Sequence, residues 1–102
     1  AQEAPKATPP KAKELPNPPL PIDDTDGGCD DEKPAKFVKA WTRQHAALTI
    51  DEAKDYVTDS GAEVYSILKA KGADTLFVLG VHTNMCVLNR SFAIKQMVRW
   101  DV

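Results

Sequence analysis

Thr75-Leu76-Phe77-Val78-Leu79-Gly80-Val81-His82-Thr83-Asn84-Met85-Cys86-Val87 is the stretch on which any reading of this chain turns. Residues 76–79 are apolar at every position rather than alternating, the pattern of a strand covered on both faces of a parallel sheet. Beyond the stretch, Val87, Ser91, Ile94 and Val98 recur at helical spacing, widened by Met97. Asn89, Gln96 and Arg99 fall on the opposite side. The spacing predicts a helix running to Trp100 and puts Cys86 where a buried strand turns into it. Backbone N–H groups at a helix N-terminus lack intrahelical partners, and the helix dipole favours negative charge there. A thiol so placed becomes a usable nucleophile near neutral pH. Position alone leaves an inert buried cysteine equally open, since free Cys is among the most buried residue types.

Working back from this stretch, Ser60 and Glu63 are spaced as a capping box, in which hydroxyl and carboxylate satisfy backbone donors reciprocally. Val64, Ile67 and Leu68 share one face, and Gly72 sits where a helix stops. A helix over residues 61–71 follows. Ala47-Leu48-Thr49-Ile50 reads as a short strand before the polar Asp51-Glu52 break. Lys36-Phe37-Val38-Lys39-Ala40-Trp41 reads equally as a short helix or an irregular lead-in. Helix, buried strand, turn and helix make an αβα layer unit. A buried strand needs a neighbour on each side, and residues 47–50 are the only candidate. The sheet is therefore expected to be incomplete.

Gly80-Val81-His82-Thr83-Asn84-Met85-Cys86-Val87 resembles the nucleophile motif of the isochorismatase-like cysteine hydrolases, the superfamily that includes nicotinamidases. The preceding residues 60–68 and 71–76 look like the helix and strand that lead into it there. The resemblance runs from about Asp51 to the C-terminus and is faint before that. It implies a three-layer αβα, parallel-sheet, Rossmann- or flavodoxin-like fold, with residues 37–102 a partial hydrolase domain. It also implies hydrolysis of a small amide, or less readily an ester or vinyl ether, by a Cys, Asp and Lys triad. Cys86 matches the nucleophile. Lys54 stands where the family's lysine precedes the helix, although Lys54-Asp55-Tyr56-Val57-Thr58-Asp59-Ser60 departs from the family pattern and a surface lysine is equally open. No aspartate here follows an apolar strand, so none is matched, and the chain by itself is expected to be inactive. The family's oxyanion hole maps to the backbone N–H groups of His82 and Cys86, beside a cis peptide between Val81 and His82. The metal-binding Asp-x-His-x-His cluster of nicotinamidases is absent from the sequence, so neither zinc nor another cofactor is expected. The complete form is expected to be a homo-oligomer acting on a small molecule. The competing reading is a non-catalytic binding protein that keeps the scaffold without the Asp.

The rest of the chain bounds these expectations. It has 102 residues and a net charge of −2, with Lys and Arg spread along it rather than clustered, which argues against nucleic-acid binding. No apolar run approaches the ~20 residues of a membrane span. All eight prolines fall within residues 1–36, read as a Pro-rich and acidic irregular segment. Pro9-Pro10 and Pro16-Asn17-Pro18-Pro19-Leu20-Pro21 favour polyproline II. Ile22-Asp23-Asp24-Thr25-Asp26-Gly27-Gly28-Cys29-Asp30-Asp31-Glu32 reads as a solvated acidic loop, because its spacing does not fit an EF-hand. Cys29 and Cys86 make no disulfide framework, and a single bridge would bury the nucleophile-like thiol. Trp41, Arg43 and His45 read as a core Trp with a surface Arg and His, or as the lining of a substrate pocket. With no initiator Met, and an end straight after the final helical pattern, the chain reads as an internal fragment, cytoplasmic or secreted.

Overall fold

The computed structural model describes residues 9, 22–29, 32 and 42–102. Residues 10–21, which hold most of the polyproline pattern, and residues 36–41, Trp41 included, lie outside the described residues.

Helix α1, Gly61–Lys71, forms where the capping pattern places it. Ser60 Oγ accepts the Glu63 N–H at 3.4 Å. The return contact is relayed: the Glu63 carboxylate takes the Thr58 hydroxyl, and Thr58 Oγ1 accepts the Ser60 N–H at 3.1 Å. Gly72 ends the helix at φ 65°, and the Ala73 N–H reaches back to the Leu68 carbonyl at 2.9 Å. These bonds satisfy carbonyls that the last turn leaves without partners. Glu63 in the first turn and Lys69 and Lys71 in the last complement the helix dipole.

Among the described residues the expected three-layer parallel sheet is not there, and no strand is present. Residues 47–50 are exposed or nearly so, next to a turn in which the Leu48 N–H donates to the His45 carbonyl at 3.0 Å. Residues 76–81 show the alternating exposure of an extended segment with nothing beside it. Leu76 and Val78 are half-buried, whereas Phe77, Leu79 and Val81 are 84%, 89% and 98% exposed. Uniform apolarity indicated a strand covered twice over, but one face meets the protein and the other meets solvent.

The helix expected to run on to Trp100 is also broken. A π-helical turn spans Thr83–Val87, closed by the Val87 N–H on the His82 carbonyl at 3.2 Å. Helix α2 begins only at Ile94 and covers Ile94–Arg99. Between them the Asn89 N–H makes one helical bond to the Met85 carbonyl at 2.9 Å, while its side-chain amide competes for the Asn84 carbonyl. Asn side chains that bond nearby backbone offer the chain an alternative to helix.

Helix α2 buries a different face from the expected one. Ala93, Gln96, Met97 and Trp100 are buried, at the i, i+3, i+4, i+7 spacing of one stripe. Ile94 and Val98 of the expected stripe are exposed. The core is small: Tyr65, Met97 and Trp100, flanked by Val64, Leu68, Leu76, Phe92 and Val102. The Tyr65 and Trp100 rings meet edge to face, 5.6 Å between centroids and 70° between planes. Such pairs contribute about 0.5–1.5 kcal/mol beyond the area they bury.

Helices α1 and α2 meet through Ser91. A Cβ added at Gly61 would run into the Ser91 carbonyl. Gly61→Ala should therefore destabilise the chain by about 1–3 kcal/mol or more, read as a lower urea midpoint. The row of Phe77, Leu79 and Val81 should make the chain bind a hydrophobic dye and associate with rising concentration. Replacing Phe77 and Leu79 by Thr should suppress both. Equal dye binding in the double variant would show that the row is covered in solution.

Candidate functional site

The cysteine turn is assembled from backbone first. Gly80 passes beneath it so closely that an added Cβ would sit 3.0 Å from Cys86 Cβ and 3.0 Å from a Val87 methyl. The missing side chain is what lets residues 80–87 fold back on themselves. The His82 carbonyl anchors the turn, accepting from the Met85 N–H at 3.4 Å and the Val87 N–H at 3.2 Å. Single π-helical turns are rare and recur at functional sites. Within this one, Cys86 is exposed and forms no disulfide.

Cys86 is not at the N-terminus of an α-helix, as the sequence pattern suggested. It lies inside the five-residue turn, and α2 starts eight residues later. The dipole of a long helix is thus no part of its setting. The environment is open and made of peptide groups from residues 80–87.

Lys54 lies in a different turn. Its Nζ pairs with Asp51 Oδ2 at 3.0 Å, and its side chain is 80% exposed. No hydrogen bond joins Lys54 to Cys86 among the described residues. Asp51 organises this turn: Oδ1 accepts the Ala53 N–H at 2.9 Å, while the Asp51 N–H donates to Asp55 Oδ2 at 2.7 Å. His82 is exposed, as are Arg43 and His45, and His45 Nδ1 accepts the Ala47 N–H at 3.1 Å.

The acidic loop is the part that sequence reasoning missed. It is not simply solvated, for Ile22, Gly27 and Gly28 are buried. Its carboxylates fold it internally. Asp23 Oδ1 accepts the Thr25 N–H at 3.0 Å, and Asp26 Oδ1 accepts the N–H groups of Gly28 and Cys29 at 3.0 and 3.2 Å. Gly27 and Gly28 take φ of 81° and 79°, conformations open to glycine and strained for other residues. Among the described residues no group of three or more His, Cys, Asp or Glu side chains is gathered to hold a metal ion.

Asp24 reaches out of this loop to the residues that follow the cysteine turn. Its Oδ2 accepts the Ser91 N–H at 2.9 Å and the Arg90 Nε–H at 3.2 Å. The Ile22 N–H donates to Gln96 Oε1 at 2.8 Å, deep against α2. Gly28 lies so close to the Asn89 carbonyl that a Cβ there would clash with it. The sequence carried a signal for this in the Asp-Asp-x-Asp-Gly-Gly spacing, which encodes tight turns. Its target 66 residues away was not legible.

No family model, curated protein or solved structure matches this chain. Among the described residues no helix is long and apolar enough to cross a membrane.

The Lys54 ion pair, reinforced by the Ala53 N–H, holds the Asp51 carboxyl below its ordinary value. A carboxyl depressed on folding contributes stability above its unfolded value and loses it as pH falls through the folded one. Acidification below the usual carboxylate range should therefore release Lys54 and loosen the turn. Side-chain NMR shifts of Lys54 and Asp51 should move together below pH ~4. Movement of Asp51 alone would mean that the pair does not form in solution.

Proposed function

We propose that Cys86 is the nucleophile of a hydrolase acting on a small amide, with esters and vinyl ethers as less favoured substrates. The observation that carries the reading is an exposed thiol on a tight peptide turn, with Gly80 clearing the space beneath it. The resemblance of residues 80–87 to the isochorismatase-like motif supports the same assignment. In the proposed reaction the Cys86 thiolate adds to the carbonyl carbon, a C–S bond forms, and the π electrons pass to oxygen. The backbone N–H groups of His82 and Cys86 receive that oxyanion, beside a cis peptide between Val81 and His82. Collapse breaks the C–N bond, the amine leaves with the proton that the thiol gave up, and water hydrolyses the thioester, releasing the carboxylic acid and returning the thiol. Lys54 is the proposed cation of the site, which requires that it leave Asp51.

A second reading has a specific observation in its favour. No carboxylate is hydrogen-bonded to Cys86 among the described residues, so a proton acceptor of the family kind is not in place. On that reading the turn binds a small carbonyl compound without turning it over.

Iodoacetamide alkylation followed by mass spectrometry tests the nucleophile directly. Cys86, exposed, should react faster than the half-buried Cys29 across the neutral range. Equal rates for the two would remove the nucleophile assignment. Ammonia release from a panel of primary amides separates the two readings: turnover lost in Cys86→Ala supports the hydrolase, and labelling without turnover supports the binding protein.

A further inference from the structure

The cysteine turn is fixed at one end and joined to the acidic loop at the other. Gly80 and the His82 carbonyl hold its start. Its exit is held by Asn89, whose N–H and side-chain amide bind the carbonyls of Met85 and Asn84, the two residues directly before Cys86. Asn89 in turn packs on Gly28, and the next two residues, Arg90 and Ser91, are bound by a single Asp24 oxygen. The path from the loop to the thiol is therefore short and made of hydrogen bonds and close backbone contact. The Asp24 and Arg90 side chains are only 23% and 18% exposed, so water competes poorly for this ion pair.

We propose that Asp24 is a positioning residue for Cys86, and that the loop over residues 22–29 is the latch through which it acts. The inference rests on the nucleophile reading of Cys86. Asp24 touches neither the thiol nor a substrate. It fixes the Ser91 peptide and the Arg90 guanidinium, which fixes Asn89, which sets the direction of the turn that carries the thiol. Without the carboxylate, the Ser91 N–H and the Arg90 Nε–H both lose the Asp24 oxygen, and the exit of the turn is held from the α1 side but no longer from the loop. Asp23 and Asp26 have a different role, since Oδ1 of each accepts N–H groups of turns within the loop.

The test uses the full chain with Cys29→Ala, so that Cys86 is the sole thiol. Two readouts are taken for Asp24→Ala and Asp24→Asn: amide exchange at Asn89 and Ser91, and the pH profile of Cys86 alkylation. In Asp24→Ala, exchange at Asn89 and Ser91 should accelerate, and the alkylation profile should move toward that of the urea-unfolded chain by about tenfold in rate near neutral pH. Asp24→Asn keeps an oxygen for the Ser91 N–H and should recover part of both effects. Unchanged exchange at Asn89 and Ser91 in a folded Asp24→Ala chain overturns the latch, as does a wild-type alkylation profile alongside accelerated exchange. A parent chain whose Cys86 reacts no differently folded and unfolded overturns the nucleophile reading and, with it, the positioning role. If Asp24→Ala loses its helical circular dichroism, Asp24→Asn carries the same comparison: retained wild-type behaviour there restricts the role to the neutral Ser91 bond and overturns the ion pair as its cause.

Discussion

Ser91 is held from three directions, and the seating of α1, the acidic loop and the segment before α2 on one another follows from that. Its N–H donates to Asp24 in the acidic loop, its hydroxyl donates to the Asp59 carbonyl, and the same oxygen accepts the Gly61 N–H. The first bond ties in a loop far upstream in the sequence. The other two seat the N-terminus of α1 against the segment that precedes α2. Because Gly61 has no side chain, α1 can approach to backbone contact there. That approach brings Tyr65, one turn further on, edge to face with Trp100. The small apolar cluster is thus a consequence of a polar junction, and not its cause.

The same junction explains why α2 is short and why it turns the face it does. A continuous helix from Cys86 would need the N–H groups of residues 89–91 for its own ladder. Asp24 takes the one at Ser91, which a continuous helix would give to the Val87 carbonyl, and the helix starts again after Ala93. The restart fixes the register. Ala93, Gln96, Met97 and Trp100 point inward, and Gln96 is drawn in by the Ile22 N–H. The cost falls on Gln96, whose Nε2 finds no acceptor among the described residues. A buried donor left without a partner costs about 1–3 kcal/mol, so the Ile22 contact and the Met97 and Trp100 packing together must outweigh that.

Local signals were legible in the sequence, and signals that depended on a distant partner were not. Ser60, Glu63 and Gly72 act on backbone within a few residues, and α1 begins and ends where they place it. Residues 76–79 advertise burial on both faces, but apolarity states only that a partner is wanted and not that one is supplied. The α2 stripe failed for a related reason. Ile94 and Val98 are more apolar than Gln96, yet they face solvent while Gln96, accepting the Ile22 N–H, lies inside beside Met97. At the site, the Gly80-to-Val87 spacing pointed to a buried strand running into a long helix, and the thiol lies exposed instead on a five-residue turn. The type of turn, and the loop that supports it, depended on Asn89 and Asp24, whose contacts no local pattern reveals.

What remains is a molecule whose exposed apolar row runs directly into the cysteine turn. Phe77, Leu79 and Val81 lie directly before the cysteine turn, and all three are exposed. The side chains alternate, so Leu76 and Val78 anchor the segment while their neighbours face outward. Any chain that covered this row would also run alongside Gly80 and His82, the residues that shape the approach to Cys86. Covering the row would exclude water from one side of the thiol and strengthen every electrostatic interaction made there. The apolar row and the thiol turn are therefore coupled by adjacency: whatever satisfies the first changes the dielectric setting of the second.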